Sequence, residues 1–410
     1  MPKAQYRYRH LILGGGMVAG YAAKEFVARG VGPGKLGIVS ADAALPYERP
    51  PLSKSFLAGK DTASTILINP EDFYRSHGIG VHLETRITGL DLSRKLLISD
   101  QGIQFSFEKL IIATGARPRT LDAPNAALPN VCYLRSLADS ERIRDAMRQA
   151  KQALVIGSGF IGMEVASQCA QQGLQTTMVF PEDRIWKRLF TPEMSAFFRS
   201  YYEARGVRFI AGAQVSAFNG RERVESAALS TGEIVPADLV VAGIGALAET
   251  ELFQATDIKI ADGVVVNEFL ETNVPDVYAA GDLARYPDVL FSKERRVEHW
   301  DNAVKQGQYL ARRLTGAPEP FSNAPYFFSD VFDLSYEYWG DQEGADEVIY
   351  RGSLNEPSFS AWWVKGGRLV AAFVMARPED EREFAQRWIA EKNDAPLARL
   401  KNAAPLVAGR

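Results

Sequence analysis

Apolar positions near the start of the chain change period across a glycine break. The run Leu11-Ile12-Leu13 stops at Gly14-Gly15-Gly16, and helix-like spacing follows. Tyr8–Leu13 predicts a strand and Ala19–Arg29 a helix, ended by Gly30-Val31-Gly32-Pro33-Gly34. Lys35–Ser40 predicts the next strand, completing a βαβ unit. The pattern returns 143 positions later: a strand at Ala153–Ile156, the loop Gly157-Ser158-Gly159-Phe160-Ile161-Gly162, a helix to Gln172 and a strand at Gln175–Phe180. Two buried-strand runs, Leu110–Ala113 and Leu239–Ala242, fall into the glycine turns Thr114-Gly115 and Gly243-Ile244-Gly245. Each marks a place where the chain leaves one domain for another. Another strand enters Tyr278-Ala279-Ala280-Gly281-Asp282, and Glu298-His299-Trp300-Asp301 precedes a helix running to about Leu314. Past about residue 320, alternation such as Phe359–Val364 and Leu369–Phe373 predicts an antiparallel sheet, and the tail from about Asn393 is expected to be loosely ordered.

A glycine loop between a strand and a helix suits a pyrophosphate. The glycines allow backbone N–H groups close approach, and the helix N-terminus adds partial positive charge. In the first loop, Gly14, Gly15, Gly16, Met17 and Val18 lead to Ala19, which takes the third small position. Two such loops imply two dinucleotides. The economical assignment is FAD on the first and a nicotinamide cofactor on the second. Asp42 lies 28 residues after Gly14 and is placed to accept from a ribose; a glycine turn with a surface aspartate is the alternative. Glu182 lies 25 residues after Gly157, and a carboxylate there accepts from ribose hydroxyls and repels a 2′-phosphate. That favours NADH over NADPH, although Arg184, Lys187 and Arg188 follow closely. Asp282 suits a ribityl chain, or a helix N-cap. In the stiff loop Pro46–Lys54, Arg49 could pair with a pyrophosphate and Lys54 could approach a flavin ring, or the loop could be a solvated basic one. The helix after His299 would aim its N-terminus at the pyrimidine end of a flavin, with His299 itself a contact or a structural residue.

Composition narrows the field. The chain has 410 residues, 46% hydrophobic and 24% charged, with a net charge of −3. That implies two or three domains of a globular protein and gives no argument for nucleic acid or a membrane surface. No apolar run is long enough to span a bilayer. The early first strand leaves no room for a signal peptide, so a cytoplasmic location is expected. Cys132 and Cys169 form no close-spaced pair and read as small buried hydrophobes, and the four histidines offer no metal-ligand context.

Together the two glycine loops, Ala113-Thr114-Gly115 and Tyr278–Asp282 resemble the glutathione-reductase-like flavoproteins. Without a cysteine pair after the first loop, the resemblance is to members that pass electrons directly from flavin to an acceptor. Leu13–Phe26, Pro46–Lys54, Met178–Glu182, Arg188–Ala196, Arg295–Asp301 and Phe332–Gly340 are similar to the monodehydroascorbate reductase family over nearly the whole chain. The resemblance implies an α/β fold of two Rossmann-like dinucleotide-binding domains plus a small α+β C-terminal domain. The expected parts are an FAD domain at 1–116 and 246–318, an NAD(P)H domain at 117–245 and a C-terminal domain at 319–410.

The resemblance also implies FAD contacts from the first loop, Asp42, Arg49, Lys54, Thr114, Gly115, Arg135, Gly281 and Asp282. NADH contacts would come from Gly157–Gly162, Glu182, Arg188, Gly245, Glu298 and His299, with Trp300 and Trp339 also at the cofactors. Lys54 and Glu164 match an ion pair near flavin N5 in the related ferredoxin reductases and are the catalytic candidates. NADH would pass a hydride to the flavin, whose electrons would leave in two single steps. The acceptor would be the ascorbyl radical or a similar small radical; the alternative is a small acidic iron–sulfur protein. Two departures touch the acceptor site. Val304 stands where the family has an arginine, making Val304→Arg a direct test, and Trp339 stands where it has a tyrosine. Pro325–Asp330 resembles the Trp-Ser-Asp segment of bacterial ferredoxin reductases. A monomer or homodimer is expected.

Overall fold

The computed structural model describes residues 5–316, 319–391, 397–401 and 406. The chain divides into two compact units. The first comprises Met1–Arg49, Ala63–Arg117 and Leu247–Pro325; the second comprises Pro50–Thr62, Pro118–Ala246 and Tyr326–Arg410.

In the first unit a seven-stranded sheet is built outward from Gln5–Leu13. That strand is exposed over its first three residues and buried continuously from His10, as expected of a central strand covered on both faces. Leu36–Val39 and Gln104–Ile112 pair with it in parallel, and Val277–Ala279 pairs in parallel with Gln104–Ile112. The register aligns Leu13 with Val39 and Ile112, and Ile112 with Ala279. All four strands therefore end at one edge, where open α/β sheets hold ligands. The segments that follow begin with Gly14, Ser40, Ala113 and Ala280.

The first helix begins at Met17, two residues before the position expected from the sequence. It packs closely on the helix Trp300–Leu314. A Cβ at Gly307 would lie 2.7 Å from the Val18 carbonyl oxygen, so only glycine permits the approach.

His10 is buried in this sheet, 2% exposed, and stacks on Phe26 with ring centroids 4.7 Å apart. Burial, with Arg9 and Lys109 adding to it, pushes its pKa from 6.5 down to about 4. The fold thus holds it neutral, while the unfolded chain takes up a proton below 6.5. Its contribution is present above pH 6.5 and is lost as pH falls towards about 4, a change on the order of 3 kcal/mol. His10→Phe is expected to flatten that acid limb, read as urea midpoints between pH 4 and 7.

The second unit carries a parallel sheet in the order Val207–Ala211, Gln175–Phe180, Gln152–Ile156, Leu239–Ala242, Val131–Tyr133. Its second glycine-loop helix runs Phe160–Gln171, again two residues earlier than expected. The aromatic C-terminal stretch forms the expected antiparallel sheet, ordered Tyr326–Val331, Leu334–Gly340, Arg368–Met375, Ser358–Lys365, Glu347–Ser353. Trp186, Phe190 and Phe198 meet Tyr336 and Phe373 of that sheet in one aromatic cluster. That buried area explains why the two parts group together. Of the tail expected to be loose, Leu397–Lys401 is helical, and 393–396, 402–405 and 407–410 lie outside the described residues. Residues 317 and 318, at the expected end of the FAD domain, also lie outside them. Both cysteines are buried and free.

Candidate functional site

The first glycine loop is shaped by contacts that exclude side chains. Gly14 has φ +124°, donates its N–H to the Val39 carbonyl at 2.8 Å, and would place a Cβ 2.1 Å from the Ala113 carbonyl oxygen. A Cβ at Gly16 would meet only the Arg49 guanidinium, at 3.9 Å. The helix that starts here has no side-chain cap, and neither does the second glycine-loop helix. Ser136, Thr191 and His299 cap the helices Leu137–Met147, Pro192–Glu203 and Trp300–Leu314. The two glycine-loop termini thus combine uncapped N–H donors with open space, which fits a dinucleotide pyrophosphate.

Around the first loop, Asp42 accepts from Tyr47 Oη at 3.1 Å and from the Ala44 N–H at 3.2 Å. Arg49 lies over the Tyr47 ring, 4.5 Å from its centroid, and donates to its hydroxyl at 2.8 Å. Thr114 Oγ1 donates to the Glu249 carbonyl at 3.1 Å, which fixes the turn before Gly115. Gly281 has φ +79° and donates its N–H to the buried Gln306 side chain at 2.7 Å, which aligns the half-buried Asp282 that follows. His299 acts as an N-cap: its Nδ1 accepts from the Asp301 N–H at 3.3 Å. Glu298 pairs with Arg296.

Sequence reasoning missed Glu48. It accepts from Tyr21 Oη and from Trp300 Nε1, each at 2.6 Å, so the indole is oriented by a carboxylate 252 positions away. Its position beside Arg49 in the proline-stiffened loop is the one signal that sequence offers.

The second loop repeats the geometry within its own unit. Gly157 has φ +108° and would place a Cβ 2.3 Å from the Gly243 carbonyl oxygen, while a Cβ at Gly159 would meet nothing within 4 Å. A Cβ at Gly162 would lie 2.3 Å from the Gly157 carbonyl oxygen, so the helix sits tight on the loop. Phe160 and Ile161 open that helix, and Ile161 is exposed. Ser158 Oγ lies 3.4 Å from Glu182 Oε2, joining the loop to the acidic strand end. Gly245 has φ +101° with open space around it. Arg184 donates to the Lys187 and Phe190 carbonyls, and Lys187 pairs with Asp183 at 3.1 Å. Arg188 is exposed, and its carbonyl accepts from Gln342. Arg135 donates its backbone N–H to Asp139 at 3.1 Å, within a capping box. Trp339 is buried beside Tyr326, with ring centroids 5.4 Å apart.

Lys54 and Glu164 meet in the second unit. Lys54 Nζ lies 2.7 Å from Glu164 Oε1, with side chains 14% and 4% exposed. Lys54 also sits 5.4 Å from the centroid of the Phe328 ring. Ser53 and Ser329, which the sequence does not single out, donate to the same carboxylate.

Val304 corrects one expectation. It is 7% exposed and packed in the hydrophobic core of the first unit, so a substituted arginine there would bury its charge. Val304→Arg is expected to cost on the order of 3 kcal/mol of stability, measured by urea unfolding. Lys305 beside it is held by Asp301 at 3.0 Å and by Asn323 at 2.9 Å. The acceptor question is better put to the unaltered protein.

Comparisons with known proteins agree with this geometry. The pyridine nucleotide-disulphide oxidoreductase family model matches residues 8–307, and a reductase C-terminal model matches 326–407. The chain is 39% identical to a peroxisomal monodehydroascorbate reductase of Arabidopsis thaliana, over 91% of this chain and 80% of that one. It is 35% identical to the Pisum sativum monodehydroascorbate reductase, over 92% and 93%. Among solved structures, the ferredoxin reductase for the CYP199A2 system of Rhodopseudomonas palustris superposes with a TM-score of 0.92 at 32% identity, covering 96% of this chain and 97% of that one. A covalent putidaredoxin reductase–putidaredoxin complex also gives 0.92, at 31% identity, covering 98% and 96%. Among the described residues no helix is long and apolar enough to cross a membrane. The chain belongs to the monodehydroascorbate reductase family of pyridine nucleotide-disulphide oxidoreductases and is an NAD(P)H-dependent FAD oxidoreductase.

Proposed function

We propose that the protein takes hydride from NADH and delivers single electrons to the ascorbyl radical or a similar small radical. The observation that carries the donor half is the pair of uncapped glycine loops, each at a strand edge beside an acidic residue. The similarity to plant monodehydroascorbate reductases supports the acceptor.

FAD, when bound, supplies the chemistry that joins a hydride donor to a one-electron acceptor. In this reading the division of labour follows the sequence: FAD with 1–116 and 246–318, NAD(P)H with 117–245, and 319–410 as the C-terminal domain. Asp42 and Asp282 would accept from hydroxyls of the FAD ribose and ribityl chain. Arg49 would face its pyrophosphate. Thr114, Gly115, Gly281 and Arg135 would complete the cradle. Gly157–Gly162, Glu182, Arg188, Gly245, Glu298, His299, Trp300 and Trp339 would serve the nicotinamide side. Lys54 supplies a fixed positive charge, and Glu164 holds it. The cytoplasmic location and the monomeric or homodimeric state belong to the same proposal and rest on the sequence alone.

NADH is favoured because, among the described residues, no cation pairs with Glu182, and of the three cations that follow it Arg184 and Lys187 are tied to carbonyls and to Asp183, leaving the exposed Arg188. Glu182→Ala is expected to narrow the NADH-over-NADPH preference in kcat/KM by about tenfold, or about 1.4 kcal/mol. A native enzyme preferring NADPH would refute the assignment.

The second reading is an NADH-dependent ferredoxin reductase. The similarity to ferredoxin reductase structures favours it. NADH oxidation assayed with enzymically generated ascorbyl radical, then with ferredoxins, separates the two. Turnover with ferredoxin alone would remove the first reading, and its rate would fall steeply with salt.

A further inference from the structure

The Glu164 carboxylate carries more donors than its ion pair requires. Lys54 Nζ at 2.7 Å and Ser329 Oγ at 2.6 Å both reach Oε1, and Ser53 Oγ reaches Oε2. Ser53 has a second acceptor in the Pro50 carbonyl, more distant at 3.4 Å. Ser53, Glu164 and Ser329 are 2%, 3% and 0% exposed. A buried carboxylate without hydrogen bonds is costly, and a carboxylate accepting at both oxygens is fixed in rotation as well as position.

We propose that Ser53 and Ser329 are positioning residues for Lys54, acting through Glu164. Ser53 closes a short 3-10 turn, Pro50–Ser53, one residue before the lysine. Ser329 comes from the strand Tyr326–Val331, 165 positions from Glu164. Glu164 lies on the helix of the second glycine loop. The C-terminal sheet therefore supplies a hydroxyl that sets where the lysine charge points, and Phe328, one residue before Ser329, bounds the ammonium on another side. Without Ser329, Oε1 keeps only Lys54; without Ser53, Oε2 loses its donor and the carboxylate can turn about its last bond.

The inference rests on Lys54 facing the flavin, so its test has two independent readouts. The first needs no cofactor. Apoprotein is treated with an amine-acylating reagent, and Lys54 labelling is compared with the exposed Lys60 by mass spectrometry. Ser329→Ala is expected to label Lys54 about tenfold faster with Lys60 unchanged. Ser53→Ala should act in the same direction, and Ser329→Thr should restore protection. General loosening of the fold would also speed labelling of the half-buried, ion-paired Lys109 and would overturn the proposal, as would unchanged Lys54 labelling in both alanine variants.

The second readout is stopped-flow reduction by NADH in the loaded enzyme, where one hydride leaves each NADH as NAD⁺ forms. Ser329→Ala is expected to slow it about tenfold at an unchanged NADH Kd, with recovery in Ser329→Thr. If labelling responds and hydride transfer does not, the serines position Lys54 but Lys54 does not serve the flavin; the positioning stands and the functional reading of the lysine fails.

Discussion

Glu164→Ala is expected to destabilise the second unit by about 3–5 kcal/mol. The carboxylate it removes is 4% exposed and neutralises a lysine that is 14% exposed. The variant leaves a part-buried ammonium without its counter-charge, takes the Glu164 acceptor from Ser329 and leaves Ser53 only the more distant Pro50 carbonyl. Desolvation of the orphaned charge dominates, because a surface pair of the same geometry contributes only about 0–1 kcal/mol. The double replacement Lys54→Met with Glu164→Leu removes both charges and is expected to recover most of the loss in stability. On the role proposed for Lys54, it should not recover hydride transfer. Urea unfolding of the apoproteins, set beside stopped-flow reduction by NADH, measures both. Equal stability in Glu164→Ala and the unaltered chain would contradict the burial argument.

Gly157→Ala is expected to weaken NADH binding by at least about 100-fold, or about 2.7 kcal/mol, while FAD stays bound. A Cβ there would lie 2.3 Å from the Gly243 carbonyl oxygen, on a backbone with φ +108° that side chains rarely adopt. The loop must move, and its N–H groups move with it. Gly157 lies in the second unit, whereas the first glycine loop lies in the first, so the flavin-to-protein absorbance ratio should hold. An anaerobic NADH titration reads the affinity. Loss of colour along with affinity would show that the two loops are not independent sites.

How much of the fold and site is legible in the sequence depends on the range of the signal. Gln175–Phe180 is legible to the residue, because Gly173 closes the helix before it and Pro181 ends it. For both glycine-loop helices the sequence pattern points two residues late, to Ala19 and Gly162 rather than Met17 and Phe160. The reason is physical. Helix starts are usually marked by a capping Ser, Thr, Asp or Asn, and in these two helices the caps are Gly16 and Gly159, which leave the N–H groups open. The antiparallel C-terminal sheet is expected from its aromatic stretches, but its strands Ser358–Lys365 and Arg368–Met375 are buried almost throughout instead of at alternate positions.

Long-range partners are not legible from the local pattern, and the pair Lys54–Glu164 is expected only through the family resemblance. Nothing local links Glu48 to Trp300, or Ser329 to Glu164, because each contact exists only after distant elements pack. Val304 reads as a changed contact residue in sequence, and only the packed helix shows it to be core. His299 reads as a cofactor contact or a structural residue, and the structure shows the N-cap it forms.

The central claim is that the two open glycine loops hold a flavin and a reduced nicotinamide that react with each other. Anaerobic titration of the purified protein with NADH, followed by visible absorbance, tests it most directly. The purified protein is expected to be yellow, to carry a single FAD per chain and to be bleached by stoichiometric NADH. A colourless protein that takes up no added FAD, or a yellow one that excess NADH leaves oxidised, would contradict it.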